Sequence, residues 1–188
     1  MIHASEVTKV IQRHRGNAVV VSTSKALREW NHVSQRRGLD VDLVDCLDKA
    51  AAVGLGVSSS KPDVRVFVLD CDATLRTNLA TLVTIGTRSP TNLVHFLLED
   101  GEHWSTDGTA ISGLGNIDFA ALAREAGYAR TYRFDDLEEL DLSLAEVLGG
   151  SGPTFVSVKV FYGPDLPAYP DRSMSESLAV VKKSLAFM

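Results

Sequence analysis

The sequence predicts an α/β protein, a doubly wound and mostly parallel sheet with helices on both faces, in a single domain over residues 1–188. Three observations predict it. Four apolar runs, AVVVS (18–22), VRVFVLD (64–70), NLVHFLLED (92–100) and TFVSVKVF (154–161), are rich in β-branched residues, and their hydrophobicity is continuous rather than alternating. Such runs suit parallel strands covered on both faces. Segments with helical spacing lie between them, so strand and helix alternate along the chain. A length of 188 residues gives one domain a substantial core and is short for two.

The elements follow in order. SEVTKVIQRHR opens a first helix with Ser5 as N-cap, ahead of strand 18–22. A small-residue helix, CLDKAAAVGLGVSS (46–59), ends before Lys61-Pro62. Strand 64–70 leads to a helix over 75–88, LRTNLATLVTIGTR. After strand 92–100 comes IDFAALAREAGY (117–128), with Asp118 in the first turn, where a carboxylate suits the helix dipole, and Gly127 as C-cap. FDDLEELDLSLAEVLGG (134–150) is an acidic amphipathic helix closed by two glycines, its run 135–141 a solvated face. Beyond strand 154–161, GPDLPAYPD (163–171) is an extended surface segment, and a last helix spans about 174–186. There is no internal repeat or low-complexity tract.

Composition narrows the function. Hydrophobic residues at 45% and charged residues at 23% are ordinary for a soluble globular protein. A net charge of −5 argues against nucleic acid and anionic membranes as partners. No apolar stretch approaches the roughly 18 residues of a membrane span. MIHASEVTKVIQRHR has no apolar core, so no signal peptide is expected. Cys46 and Cys71 form no metal-ligand pattern, and a reduced, cytoplasmic compartment is expected. His3, His14, His32 and His95 show no paired spacing for a metal.

The stretch VFVLDCDATL (66–75) admits two readings. A strand followed by D-x-D-x-T-L resembles the first motif of the haloacid-dehalogenase phosphatases. That resemblance would make Asp70 a nucleophile, Asp72 a general acid and Thr74 its companion, with Mg²⁺ between carboxylate and phosphate. The remaining parts would fall to Thr84, Lys159, Asp135 and Asp136, whose settings fit poorly: Thr84 lies in a helical pattern, Lys159 in a strand.

The second reading draws on more of the chain. Cys71-Asp72-Ala73 and, 28 positions after Asp72, the turn Glu99-Asp100-Gly101 bracket a helix-then-strand pattern; STDGT (105–109), NIDFAALAREAGY and GPTFVSVKV follow. From about residue 16 to 160 this resembles the cofactor-binding domain of thiamine-diphosphate enzymes, nearest the small subunits of sulfopyruvate and phosphonopyruvate decarboxylases. The resemblance implies thiamine diphosphate and Mg²⁺ as cofactors, with the metal held by Asp72, Asp100 and the backbone carbonyl of Glu102. It implies that the N–H groups of Ala73 and Thr74 and the Thr74 hydroxyl face the diphosphate, beside Cys71. Asp45-Cys46-Leu47-Asp48 takes the place of the family's G-S-M-G turn, with Leu47 as the wedge under the thiazolium and the Asp45 carbonyl accepting from the aminopyrimidine. His103 and Trp104 fall near the substrate, His103 as a proton donor. Asp70 is then a structural strand-end residue and Cys71 a small buried one.

The resemblance also implies a partner. The activating Glu of such enzymes lies on a different, pyrimidine-binding domain, so a complementary subunit and a hetero-oligomer acting on a small 2-oxo acid are expected. Departures from the family pattern are Cys71 and Ala73 for glycines, Asp100 for asparagine, and Asp45 and Asp48 for glycines. They keep open a second possibility, a degenerate, non-catalytic partner subunit of the same fold.

Overall fold

The computed structural model describes residues 1–101 and 117–186. Seven strands, β1 (Ile2–His3), β2 (Val19–Thr23), β3 (Asp40–Leu43), β4 (Val66–Cys71), β5 (Leu93–Glu99), β6 (Arg130–Phe134) and β7 (Thr154–Phe161), form one sheet. They alternate with helices α1 (Ala4–His14), α2 (Ser24–Val33), α3 (Ala50–Ser60), α4 (Asp72–Thr77), α5 (Ala80–Arg88), α6 (Phe119–Glu125), α7 (Leu137–Gly149) and α8 (Met174–Leu185). Among the described residues every strand pairing is parallel. The order is β3-β2-β4-β5-β7, with β6 along the first part of β7 and β1 along its last residues. The chain therefore winds outward in one direction from β2 to β3 and in the other from β4 to β5 and β7. The reversal lies between β2 and β4, and in such sheets ligands bind at the carboxyl ends of the strands flanking it.

The alternation of side chains along each strand splits the core in two. On one face Val20, Phe67, Leu69, Phe96, Val156 and Val158 meet Val7, Val10 and Ile11 of α1, Trp30 of α2, and Leu140, Leu144 and Val147 of α7. On the other, Val21, Val41, Val66, Val68, Leu93, Leu97 and Phe155 meet Ala50 of α3, Leu82 and Ile85 of α5, Phe119 of α6 and Val181 of α8. Both faces are covered, as the continuous apolar runs require.

Several expectations are corrected. The first helix begins at Ala4, one residue before Ser5; the cap is His3, whose Nδ1 accepts from the Ser5 N–H at 3.2 Å. The helix expected over 75–88 is two helices broken at Asn78, whose side-chain amide donates to the Asp48 carbonyl at 3.2 Å. The helix expected from 134 starts at Leu137, capped by Asp136, because Arg130–Phe134 form edge strand β6. Asp118 is itself the cap of α6, accepting from the Ala121 N–H at 2.9 Å. The acidic run 135–141 does present an exposed face, on which Asp141 pairs with Arg13 at 2.7 Å. Gly86 lets α5 approach α6 closely: a Cβ there would land on the Ala126 carbonyl oxygen. Gly86→Ala is expected to cost about 2–4 kcal/mol, read as a lower urea midpoint at unchanged slope.

Candidate functional site

The carboxyl ends of β2, β4 and β5 stand level. Ser22 pairs with Leu69, and Cys71 with Leu98, so the turns Thr23-Ser24-Lys25, Cys71-Asp72-Ala73 and Glu99-Asp100-Gly101 share one edge at the switch point. Asp72 is the first residue of α4 and is 2% exposed. Its Oδ1 accepts from the Ala73 N–H and its Oδ2 from the Gly101 N–H, both at 2.8 Å, so its carboxylate ties the two turns together. Burial, aided by the charge of Asp100, pushes its carboxyl up to about 7 despite those two N–H groups. A buried carboxylate so disfavoured when ionised is one that a cation would suit. Each oxygen keeps lone-pair capacity beyond its single N–H bond.

Asp100 follows β5, and its Oδ2 lies 2.5 Å from the Lys25 Nζ. The ammonium sits 5.1 Å over the ring of Tyr162, whose hydroxyl is 3.7 Å from the Cys71 Sγ. Burial drives the Cys71 thiol up to about 12 and the Tyr162 phenol well above its usual range, so both stay neutral. Ser24, just before Lys25, has φ of 52°, and its buried Oγ has no hydrogen-bond partner among the described residues.

The other predicted segment lies beside this edge. Asp45, Cys46, Leu47 and Asp48 line a cavity of about 390 Å³ together with Thr74 and Thr77. Leu47 opens a 3₁₀ turn, Leu47–Lys49, and is half-buried at this cavity rather than packed in the core. The Thr23 hydroxyl donates to the Leu47 carbonyl at 2.7 Å, fastening the turn to the end of β2. Asp45 is exposed. The structure thus brings Asp45, Cys46, Leu47 and Thr74 to one cavity, and Cys71, Asp72, Ala73 and Asp100 to the adjoining edge. Glu102, His103, Trp104 and the 105–109 turn lie outside the described residues.

Two expected donors are committed elsewhere. The Ala73 N–H goes to the Asp72 carboxylate, and the Thr74 hydroxyl turns inward to Asp70 Oδ1 at 2.5 Å and the Cys71 carbonyl at 2.9 Å. Asp70 is a buried strand residue, as the second reading expects. Its Oδ2 is 3.4 Å from His95 Nε2, close enough to attract though not aligned as a hydrogen bond, and His95 Nδ1 meets the Tyr128 hydroxyl at 3.1 Å.

This placement overturns the phosphatase reading. The Asp70 carboxylate faces the interior and is occupied by the Cys71 N–H and the Thr74 hydroxyl. Its would-be companions do not converge: Thr84 is exposed on the outer face of α5, Lys159 is paired with Glu99, and Asp136 caps α7 while Asp135 precedes it.

A family model described as thiamine pyrophosphate enzyme, C-terminal TPP binding domain, matches residues 20–158. The chain belongs to this family. It is 35% identical over 146 residues to a phosphonopyruvate decarboxylase of Streptomyces viridochromogenes, covering 78% of this chain and 36% of that protein. It is 35% identical over 126 residues to sulfopyruvate decarboxylase subunit beta of Methanothermobacter thermautotrophicus, covering 66% of this chain and 64% of that subunit. The chain therefore spans about a third of the first relative and just under two thirds of the second. Among solved structures, a putative thiamin diphosphate-dependent enzyme from Mycobacterium smegmatis superposes with a TM-score of 0.68 at 19% identity, over 85% of this chain and 32% of that one. A thiamine diphosphate-dependent 4-hydroxybenzoylformate decarboxylase of Rhodococcus jostii gives 0.69 at 14%, over 86% and 33%. Both structures share the fold.

Lys25, Ser24 and Tyr162 are the site residues that sequence reasoning missed. A signal for the first two existed: Thr-Ser directly after strand 18–22, ahead of Ala26, Leu27 and Trp30 at helical spacing, is a helix-start signature. Tyr162 carried none, since only the β7 crossover brings it to the edge.

Proposed function

We propose that the chain is the thiamine-diphosphate- and Mg²⁺-binding subunit of a two-chain enzyme. It would decarboxylate a small 2-oxo acid or pass the resulting acyl anion equivalent to an acceptor. The observation that carries this reading is the meeting of Asp72 and Asp100 at the switch point, tied by the Gly101 N–H, beside the cavity that holds the Asp45–Asp48 turn. The donor set fits the cofactor: two carboxylates of hard oxygen for Mg²⁺, and an open cavity in which Leu47 stands half-buried. Asp72 and Asp100 would hold the metal with the Glu102 carbonyl. Leu47 would support the bent cofactor, and the Asp45 carbonyl would orient its aminopyrimidine. His103 and Trp104 would lie toward the substrate, His103 holding a proton for the product. When bound, thiamine diphosphate supplies the carbon nucleophile and electron sink of the reaction.

The activating Glu would come from a complementary pyrimidine-binding chain. The word "subunit" in the name of the sulfopyruvate relative supports this arrangement. A second reading, a non-catalytic partner of the same fold, is favoured by one observation: Ala73 N–H and the Thr74 hydroxyl already have internal partners.

The test is co-expression with a companion chain carrying the pyrimidine-binding domain, purification with Mg²⁺ in excess, and assay of bound thiamine diphosphate. Near one cofactor per site is expected. A cofactor-free complex would remove the catalytic reading and leave the non-catalytic one. In that case Cys71→Gly, Ala73→Gly and Asp100→Asn together should restore binding.

A further inference from the structure

We propose that Lys25 is the resident counter-ion of Asp100 and that a divalent cation must displace its ammonium to reach this carboxylate. The inference deepens the metal role given above to Asp72 and Asp100. Three features place the ammonium deliberately. Lys25 Nζ lies 2.5 Å from Asp100 Oδ2, with only 16% and 4% of the two side chains exposed. The ring of Tyr162 supports the same ammonium from 5.1 Å, an attraction that strengthens as water is excluded. Ser24 accepts a left-handed backbone, φ 52°, at the start of α2, a conformation that costs a non-glycine residue energy and persists only where the surroundings enforce it.

The chemistry follows from charge. The edge holds two carboxylates, Asp72 and Asp100. A lysine on the neighbouring strand's turn returns one positive charge. Mg²⁺ coordinates carboxylate oxygen directly, and an ammonium at hydrogen-bond distance from Asp100 both blocks one of its oxygens and repels the dication. Once displaced, the ammonium remains at the amino end of α2, on the side where anionic oxygens of a diphosphate are favoured by the helix. The pair thus keeps Asp100 compensated in both states: by Lys25 without cofactor, by metal with it.

The test uses the full chain and Mg²⁺ alone. In Lys25→Met, the Mg²⁺ concentration that gives half-maximal thermal stabilisation should fall about tenfold relative to wild type, because a competing charge is gone. Lys25→Arg should behave as wild type. Adding Asp100→Asn to Lys25→Met should remove the gain. In wild type, acetylation of Lys25 by acetic anhydride, followed by mass spectrometry, should rise several-fold on adding Mg²⁺; this readout needs no variant to fold. An unchanged or higher midpoint in Lys25→Met, a gain that survives Asp100→Asn, or acetylation indifferent to Mg²⁺ overturns the proposal. No measurement here involves thiamine diphosphate or a partner, so a failure of cofactor retention and a failure of this exchange are separate results.

Discussion

Asp72→Asn is expected to lower retention of thiamine diphosphate with Mg²⁺ by roughly 100-fold or more, beyond the loss typical for groups that only orient metal ligands. The same change should make the cofactor-free chain indifferent to pH where wild type is not. The sign follows from the raised carboxyl of Asp72. Unfolded, an aspartate loses its proton near 3.9; folded, burial holds this one up to about 7. Between those values the native state binds a proton that the unfolded chain has released, so stability falls as pH rises through this window. Above it the full cost, on the order of 2–4 kcal/mol, is present. Asparagine removes the charge and keeps one acceptor for the Ala73 and Gly101 N–H groups, whereas alanine would strand both, so asparagine is the informative variant. Urea midpoints at pH 5 and pH 8 measure the effect. A wild-type decline that persists unchanged in Asp72→Asn would show that the pH dependence arises elsewhere.

Much of this architecture was legible in the sequence, and the parts that were not share a cause. β4, β5 and β7 are buried on both faces, and their apolar runs announce them. β3 is equally buried, yet it reads Asp-Val-Asp-Leu and no periodicity argument finds it. Its aspartates are affordable only because Arg15 and Arg172 reach them from distant points of the chain and Arg37 from just before the strand. α2 was hidden by Lys25, Arg28 and Glu29 on a helix whose apolar stripe is short. The site divides the same way. The family resemblance pointed to Asp72 and Asp100 through its two turns 28 residues apart, and to Leu47 through the turn before the small-residue helix. The inward turn of Thr74 toward Asp70 and the pairing of Lys25 with Asp100 depend on neighbours set by the sheet order, which no local pattern encodes.

Breaking the network beneath β3 should be among the costliest single changes to stability. Arg15 and Asp40 are joined at 2.6 Å with side chains 1% and 0% exposed. Asp40 also accepts from Trp30 Nε1 at 3.1 Å, Ser34 Oγ at 2.5 Å and Arg37 Nη1 at 3.0 Å. Arg15 donates to the Ala18 carbonyl and to Ser34 Oγ, and stacks 5.3 Å from the Trp30 ring. One ion pair therefore pins the end of α1, the middle of α2 and the start of β3. Arg15→Met leaves a buried carboxylate without its nearest cation and is expected to cost about 3–5 kcal/mol. Asp40→Asn leaves a buried guanidinium uncompensated and should cost a similar amount. The pair itself is worth less than either loss, because desolvation of both charges offsets most of their attraction. Arg15→Met combined with Asp40→Asn should therefore fall short of the sum of the single losses by at least about 1 kcal/mol. Urea unfolding of the four chains at one pH decides it. Strict additivity would mean that Arg37 and the hydroxyl of Ser34, not Arg15, compensate Asp40. β3 would then be anchored from its own end of the sheet rather than from α1.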